Sequence, residues 1–448
     1  MCLIFDVKLM EQSLKEMDID LAKMPLGNLK KTQITAGYEV LSKIQDVLSS
    51  ETLAAQAKKQ QLSDLSNHFY TLIPHDFGLG RIKVIDSTDE LRAKIKMIEA
   101  LLDIQCAVTM LSGSAGGGGG GGGASGSDSA AAAATDDVAP ASKKKQKTAP
   151  AKKMTKKQAA AAAKKQKAAS AAAAAASAAS AAASATAAAA AAGPLAEVDQ
   201  HYAKLHCDLT PLDKDSDTYL LRSTYVALFC WSLCDVYVGR SRFKLLESYV
   251  HAGRDPKGLA SYEKFPKMSI VEVFEADRAG EAEVYAPQVA LGNRKMLWHG
   301  SGTSNFGGIL SQGMRIAPPE APKTGYRFGK GAYFADVIGK SASYCRTSGS
   351  DEILIMACDV ALGEEWETKK DKYMDKSQPG SHCTHALGKF VPKPDGDVDD
   401  GTGCIVPAGV VEKSSTAKSS VNVNEFIVYS TDQVRIRYLL RLKLGEDG

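Results

Sequence analysis

Residues 114–193 are the stretch that most limits what this chain can fold into. They begin with an oligoglycine run (Gly116–Gly123), pass through lysine clusters and end in oligoalanine that reaches Ala192. Glycine has nothing to bury and the lysines repel one another, so this stretch builds no core and is expected to be a linker. The alanine part has strong helix propensity, but a helix there would be a solvated rod. The 448-residue chain is therefore divided into residues 1–113 and 194–448, together long enough for two sizeable cores. The charge divides in the same way. Eleven lysines lie between Lys143 and Lys167, against the three acids Asp128, Asp136 and Asp137, so the linker carries +8 of a net +3. The folded remainder is thus mildly acidic at −5. Any contact with nucleic acid is expected to map to Lys143–Lys167. With no aromatic residue interleaved, it would be to phosphates and not to bases. The same lysines read as a nuclear import signal or as a solvated spacer.

The two flanks differ in periodicity. In "STDELRAKIKMIEALLDIQCAVTML" a capping box, Ser87 with Glu90, precedes Leu91, Ile95, Ile98 and Leu102 at helical spacing. A turn near Pro25–Gly27 leads into a second helix, and "IPHDFG" (73–78) reads as a loop between helices. Residues 1–113 are thus expected to be all-α. Beyond Pro194 the pattern turns to strands: "SIVEVFEA" (269–276), "EILIMACDVALG" (352–363) and "VRIRYLLRLKL" (434–444). Strands and helices do not alternate regularly, which argues against a doubly wound fold. Nine cysteines with no CxxC pair are expected to be reduced thiols in an intracellular protein. The N-terminus is not a secretory signal, and the longest uncharged apolar run, Ser223–Cys234, is too short to span a bilayer. The chain is expected to be soluble.

Two phosphate-binding patterns are nearly present and both fail. "GKS" (339–341) has Phe334 where a phosphate loop needs glycine, and "GSGTSNFG" (300–307) has Asn305 where a dinucleotide fingerprint needs its third glycine. Two tyrosines, Tyr333 and Tyr344, instead flank this lysine within "GKGAYFADVIGKSASYC". Two rings, small residues and a lysine so close together therefore call for an answer other than a phosphate loop. Taken singly, each residue also has a bland reading: His-Gly as a turn, aromatics beside glycine as core, Glu425 as an edge charge that discourages sheet pairing.

Four segments, "LWHGSGTSNFGGILSQGMRIAPPEAP" (297–322), "TGYRFGKGAYFAD" (324–336), "KSASYC" (340–345) and "NEFIVY" (424–429), closely resemble the catalytic domain of the poly(ADP-ribose) polymerases. "MEQSLKEMDIDLAKMPLGNL" and "DLSNHFYTLIPHDFG" resemble the helical regulatory domain of that family's DNA-dependent nuclear branch. The resemblance implies an α+β chain: an all-α regulatory domain (1–113), the linker (114–193) and a mainly antiparallel β ADP-ribosyltransferase domain (194–448). It implies an enzyme that takes NAD+ as substrate, needs no metal, breaks the nicotinamide–ribose bond and transfers ADP-ribose to protein acceptors, itself included. Chain elongation and a nuclear location with a part in DNA repair are further expectations, with no membrane association. The alternative is a catalytically impaired NAD+-binding or scaffold module.

By the same resemblance, Tyr344 and Tyr333 face the two sides of nicotinamide, while Gly300 (backbone) and Ser341 (hydroxyl) hold its amide. His299 bonds the adenosine ribose. Ser301, Asn305 and Arg315 lie on the adenine and phosphate side, and Lys340 is a further NAD+ contact. Glu425 is the catalytic carboxylate, bonded to the ribose 2′-hydroxyl where it stabilises an oxocarbenium-like centre and polarises an acceptor hydroxyl. The set His299, Tyr333 and Glu425 resembles that of family members that build polymers. Glu99 and Asp103 read by pattern as a solvated helix edge. By resemblance they face the NAD+ site, so residues 1–113 are expected to restrain substrate access.

Departures from the family are equally specific. Lys96 replaces an acidic residue, and Gly302 stands where a basic one is common. Residues 223–241 have no counterpart, and no DNA-sensing domain precedes the helical one, so a truncated chain is one reading. No metal site is expected. "SHCTH" groups His382, Cys383 and His385, but a second ligand pair at zinc spacing is missing.

Overall fold

The computed structural model describes residues 4–26, 30–78, 80–112, 197–212, 242–253, 268–323, 325–345, 350–415 and 418–445. The linker at 114–193 with its lysines 143–167, and the segment 223–241, lie outside the described residues. The described residues on either side of the linker pack as one unit.

Four helices make up the first flank: α1 (Val7–Glu16), α2 (Lys31–Ser49), α3 (Ala55–Leu72) and α4 (Thr88–Ser112). Asp6 caps α1 by accepting from the backbone N–H groups of Lys8 and Leu9 at 2.9 and 3.2 Å. The capping box of α4 forms: Glu90 N–H donates to Ser87 Oγ at 3.2 Å, and the Glu90 carboxylate accepts from the Ser87 hydroxyl and from Asp86 N–H. Leu91, Ile95 and Ile98 enter the helical core with Ile34, Tyr38, Leu41 and Phe69, while Leu102 is only half-buried. Ser66 links α3 to the approach of α4: its buried hydroxyl donates to Leu62 O and accepts from Ile85 N–H.

The second flank contains helices α5 (Glu197–Ala203), α6 (Arg242–Gly253), α7 (Glu281–Tyr285), α8 (Phe306–Gln312) and α9 (Ile338–Ala342). Its strands are β1 (Cys207–Pro211), β2 (Met268–Arg278), β3 (Arg294–Gly300), β4 (Ala332–Phe334), β5 (Glu352–Ala361), β6 (Glu365–Thr368), β7 (Cys383–Ala386), β8 (Phe390–Pro392), β9 (Asp397–Asp399), β10 (Cys404–Pro407), β11 (Val411–Lys413), β12 (Glu425–Val428) and β13 (Val434–Leu444). One sheet runs β1-β2-β13-β5-β3-β10-β9, a second runs β4-β12-β7-β6, and β11 pairs with β8. Pairing is antiparallel except for β10 with β3 and β6 with β7.

The apolar run of β5 follows from its central place. Leu354, Met356, Cys358 and Val360 face one core, and Ile353, Ile355 and Ala357 face the other, so the strand is covered on both sides. Phe334, Phe426 and Val428 of the second sheet share the first of these cores with β5. On the other side α6 packs Tyr249 flat against Trp298, with ring centroids 4.5 Å apart.

The two flanks share packing. Ala321 lies in the helical core, with Ala317 and Tyr326 against it. Ile4 lies in the core between the two sheets. The sequence Phe306-Gly307-Gly308 makes the closest approach. A Cβ on Gly307 would stand 2.9 Å from Ala107 Cβ, and one on Gly308 would stand 2.7 Å from Asp103 O, so only glycine lets α8 lie this close to α4. No helix among the described residues is long and apolar enough to cross a membrane. The six described cysteines (106, 207, 345, 358, 383 and 404) are free and buried.

Candidate active site

A cavity of about 1070 Å³ opens between the helical flank and the sheets. It brings together His299, Gly300, Ser301, Asn305, Arg315, Tyr333, Lys340, Ser341, Tyr344 and Glu425 from the second flank, and Glu99 and Asp103 from α4. Every site residue expected from the sequence lines this one space.

Strand pairing sets its floor. Trp298 and Ala335 exchange both backbone hydrogen bonds (2.8 and 3.1 Å), which carries the end of β3 to the end of β4. His299 Nδ1 then lies 2.9 Å from Tyr333 O. A carbonyl only accepts, so Nδ1 holds the proton and Nε2 keeps its lone pair. Burial pushes the His299 pKa down, against the pull of that carbonyl, so the imidazole is a neutral acceptor. At Gly300 any Cβ would fall on the Ser341 carbonyl oxygen, so α9 lies against the bare backbone. The Ser341 hydroxyl donates to Trp298 O at 2.9 Å, which leaves its oxygen lone pairs to accept from an amide N–H.

The Tyr333 hydroxyl is fully engaged, donating to Gly329 O at 2.7 Å and accepting from Phe328 N–H at 3.1 Å. Its ring is fixed, and what it offers the cavity is a face. Tyr344, by contrast, is 46% exposed, unusual for a large apolar side chain among the described residues. Lys340 Nζ lies 5.3 Å from its ring centroid and Lys96 Nζ of α4 lies 5.2 Å away.

Glu425 opens β12, paired to Ala386 of β7, while Ile427 pairs with Tyr333 of β4. The two-residue period of a strand puts Glu425 and Ile427 on one face and Asn424 and Phe426 on the other. Glu425 is 5% exposed, yet it is charge-partnered: Lys340 Nζ lies 2.9 Å and Arg327 Nη1 3.9 Å from Oε1. Behind it the Asn424 amide donates to Asp336 Oδ2 at 2.7 Å and its oxygen accepts from Gly388 N–H at 2.8 Å. These bonds fix the backbone from which Glu425 projects.

On the far side Asn305 Nδ2 donates to Ser301 Oγ at 3.0 Å. Arg315 lines the same cavity with its charge already engaged. Its guanidinium is ion-paired with Asp103 of α4 and also donates to Cys106 Sγ at 3.4 Å, so it is spent on the helical flank. Glu99 accepts from the Tyr326 hydroxyl, and burial pushes its pKa up. The solvated-edge reading of Glu99 and Asp103 is therefore replaced by two direct contacts with the second flank. Sequence reasoning missed Arg327, Tyr326 and Tyr38, all of which line the cavity. The first two sit inside "TGYRFG", one of the quoted segments, and Tyr38 had only its place on an amphipathic helix to mark it.

Comparison with known proteins agrees with this geometry. A profile of the poly(ADP-ribose) polymerase regulatory domain matches residues 1–118, and one of the poly(ADP-ribose) polymerase catalytic domain matches residues 241–444. An α-helical regulatory part and a sheet-rich catalytic part are thus the class of protein that fold and site define. The chain belongs to the poly(ADP-ribose) polymerase family. It is 34% identical to poly [ADP-ribose] polymerase 1 of Gallus gallus over 444 residues, 99% of this chain and 33% of that protein. It is 31% identical to poly [ADP-ribose] polymerase 2 of Arabidopsis thaliana over 447 residues, 99% of this chain and 53% of that protein. The chain thus spans about a third to a half of the length of these relatives.

Proposed function

We propose that this chain is an NAD+ ADP-ribosyltransferase that breaks the nicotinamide–ribose bond and passes ADP-ribose to protein acceptors, itself included, extending the product into poly(ADP-ribose). The observation that carries this reading is a buried carboxylate, Glu425, held by Lys340 in the same cavity as the neutral His299 and the Gly300–Ser341 backbone approach. Nicotinamide lies between the faces of Tyr333 and Tyr344, its amide N–H donating to Ser341 Oγ and its carboxamide meeting the Gly300 backbone. His299 Nε2 accepts from a ribose hydroxyl. Glu425 accepts from the ribose 2′-hydroxyl, stabilises positive charge as nicotinamide leaves, and draws the proton of the incoming acceptor hydroxyl. Lys340 orients this carboxylate through its ion pair. Elongation rests on His299, Tyr333 and Glu425 lining one cavity, because an acceptor sugar needs a base beside the reacting carbon.

The helical flank acts as a restraint. Asp103 holds Arg315, Glu99 holds Tyr326, and Lys96 lies over the ring on which nicotinamide would stack. The division into regulatory, linker and catalytic parts at 1–113, 114–193 and 194–448 belongs to this reading. So does a nuclear location with linker contacts to nucleic-acid phosphates, supported by the lysines at 143–167.

The test is incubation of the purified chain with labelled NAD+ beside Glu425→Gln, resolving protein-bound label by size. A high-molecular-weight ladder in the parent and its loss in Glu425→Gln are expected. Discrete single additions would limit the reading to mono-transfer, and no label on folded protein would overturn it.

A further inference from the structure

The back of the catalytic strand holds a second group of side chains that the proposed reaction does not use. Parallel pairing of β6 with β7 sets Glu367 opposite His385, and strand periodicity puts Glu365 on the same face as Glu367. One ligand atom from each of Glu365, Glu367 and His385 lies within 4.8 Å of the other two. The imidazole of His385 also stacks on Phe426, next to Glu425, with centroids 4.3 Å apart. The sequence reading passed over this group. Within "SHCTH", His382 turns away to accept from Glu364 N–H and Cys383 is buried in the core between the sheets.

Two further observations mark unmet polar groups beside this trio. His385 Nδ1 lies 2.6 Å from Glu365 Oε2, and because a carboxylate accepts, the proton sits on Nδ1. Nε2 is then a bare acceptor, in a residue only 8% exposed, and it has no partner among the described residues. Asp336 Oδ1 is a second bare acceptor, in a residue 4% exposed, and it too has no partner there. Both residues line one small cavity of about 280 Å³ behind β12. Buried acceptors are nearly always satisfied, so two beside one cavity call for an explanation.

We propose that Glu365, Glu367 and His385 form a binding site for one divalent first-row transition-metal ion, a brace for the strand that carries Glu425. The ion would replace the proton on Nδ1. Nδ1 and two carboxylate oxygens then supply a one-nitrogen, two-oxygen set suited to Mn2+ or Zn2+. The proton moves to Nε2, which turns a bare acceptor into a donor facing the cavity where Asp336 Oδ1 stands. Metal-bound histidines commonly give their second nitrogen a partner of its own, and here that nitrogen faces the small cavity. Lys295 and Asn293 occupy Glu365 Oε1, at 3.5 and 2.8 Å, and leave Oε2 for the ion. Metal–ligand bonds of about 2.1 Å put ligands roughly 3.4 Å apart, so closing the site asks for shifts of about 1 Å. The exposed Glu367 side chain can supply them.

The probe is Mn2+, because the chain's nine cysteines would compete for Zn2+. Mn2+ is titrated into the full chain, and the bound ion is counted from the loss of the free-ion paramagnetic signal. One equivalent is expected, with affinity falling roughly tenfold or more in Glu367→Gln and in His385→Asn. The exposed neighbour variant Glu364→Gln should bind like the parent. Glu367→Gln changes an exposed side chain, so loss there cannot be put down to unfolding. Absence of stoichiometric binding to the parent, unchanged affinity in Glu367→Gln, or equal loss in Glu364→Gln would each overturn the site.

Discussion

Asp103→Asn in the full chain should lower the KM for NAD+. The Asp103–Arg315 pair joins side chains that are 14% and 31% exposed, between a surface pair and a buried one. Exposed pairs contribute about 0.2–1 kcal/mol, whereas breaking a buried pair costs about 3–5 kcal/mol. An intermediate value of about 1–2 kcal/mol is the work needed to free Arg315 for a substrate phosphate. Removing that work corresponds to about 5- to 30-fold in apparent affinity. Asparagine keeps the side chain's shape, and the close packing of the Asp103 backbone over Gly308 is untouched. The assay is initial-rate incorporation of labelled ADP-ribose against NAD+ concentration, for Asp103→Asn, Arg315→Gln and the double variant. If freed Arg315 acts on substrate, Arg315→Gln should cost more in the Asp103→Asn background than in the parent. A KM within twofold of the parent in folded Asp103→Asn would refute the idea that this pair guards the site.

Gly300→Ala should abolish binding of a neutral benzamide-type probe and lower Tm, because its Cβ would fall on the Ser341 carbonyl; a probe Kd like the parent's would show that α9 can shift. Lys96→Ala should tighten NAD+ about two- to fivefold, the worth of about 0.5–1 kcal/mol of cation–π contact, with the change read in KM. His75 gives the helical flank an acid limit. Burial lowers its pKa to about 4, with Nδ1 bonded to Ile73 O, so the unfolded chain takes up this proton near pH 6.5 and the folded chain only near 4. Stability is therefore full above pH 6.5 and falls as pH drops, by about 2 kcal/mol at pH 5, levelling off below 4. Thermal melts between pH 7 and 5 should show a shallower loss in His75→Phe than in the parent.

How much of this was legible depended on distance along the chain. The strand that opens with Glu425, the His299-Gly300 pair that ends β3 and the Tyr333–Tyr344 stretch are local patterns, and all of them line the cavity. The capping box at Ser87 was equally local. The Arg315–Asp103 pair joins residues 212 positions apart, and no periodicity in either segment signals the other. The same holds for the Glu365–His385 pair, since β6 and β7 become neighbours only through sheet order. Glu99 and Asp103 show why pattern alone misleads: acids at the edge of an apolar stripe look solvated until the neighbouring surface brings a tyrosine and an arginine to them.

The glycine pair at 307–308 has a consequence for how such a protein is switched. Because α8 meets α4 backbone to backbone, and because Ala321 and Ile4 each sit in the other flank's core, a helical flank that restrains access as proposed cannot lift as a hinged lid without uncovering apolar surface. Uncovering the substrate cavity means giving up part of the helical core. On the proposed reading of that flank, folding stability and catalytic silence are one quantity seen from two sides. A substitution that loosens α4 far from any substrate atom would be scored as damage in a melt and as activation in an assay.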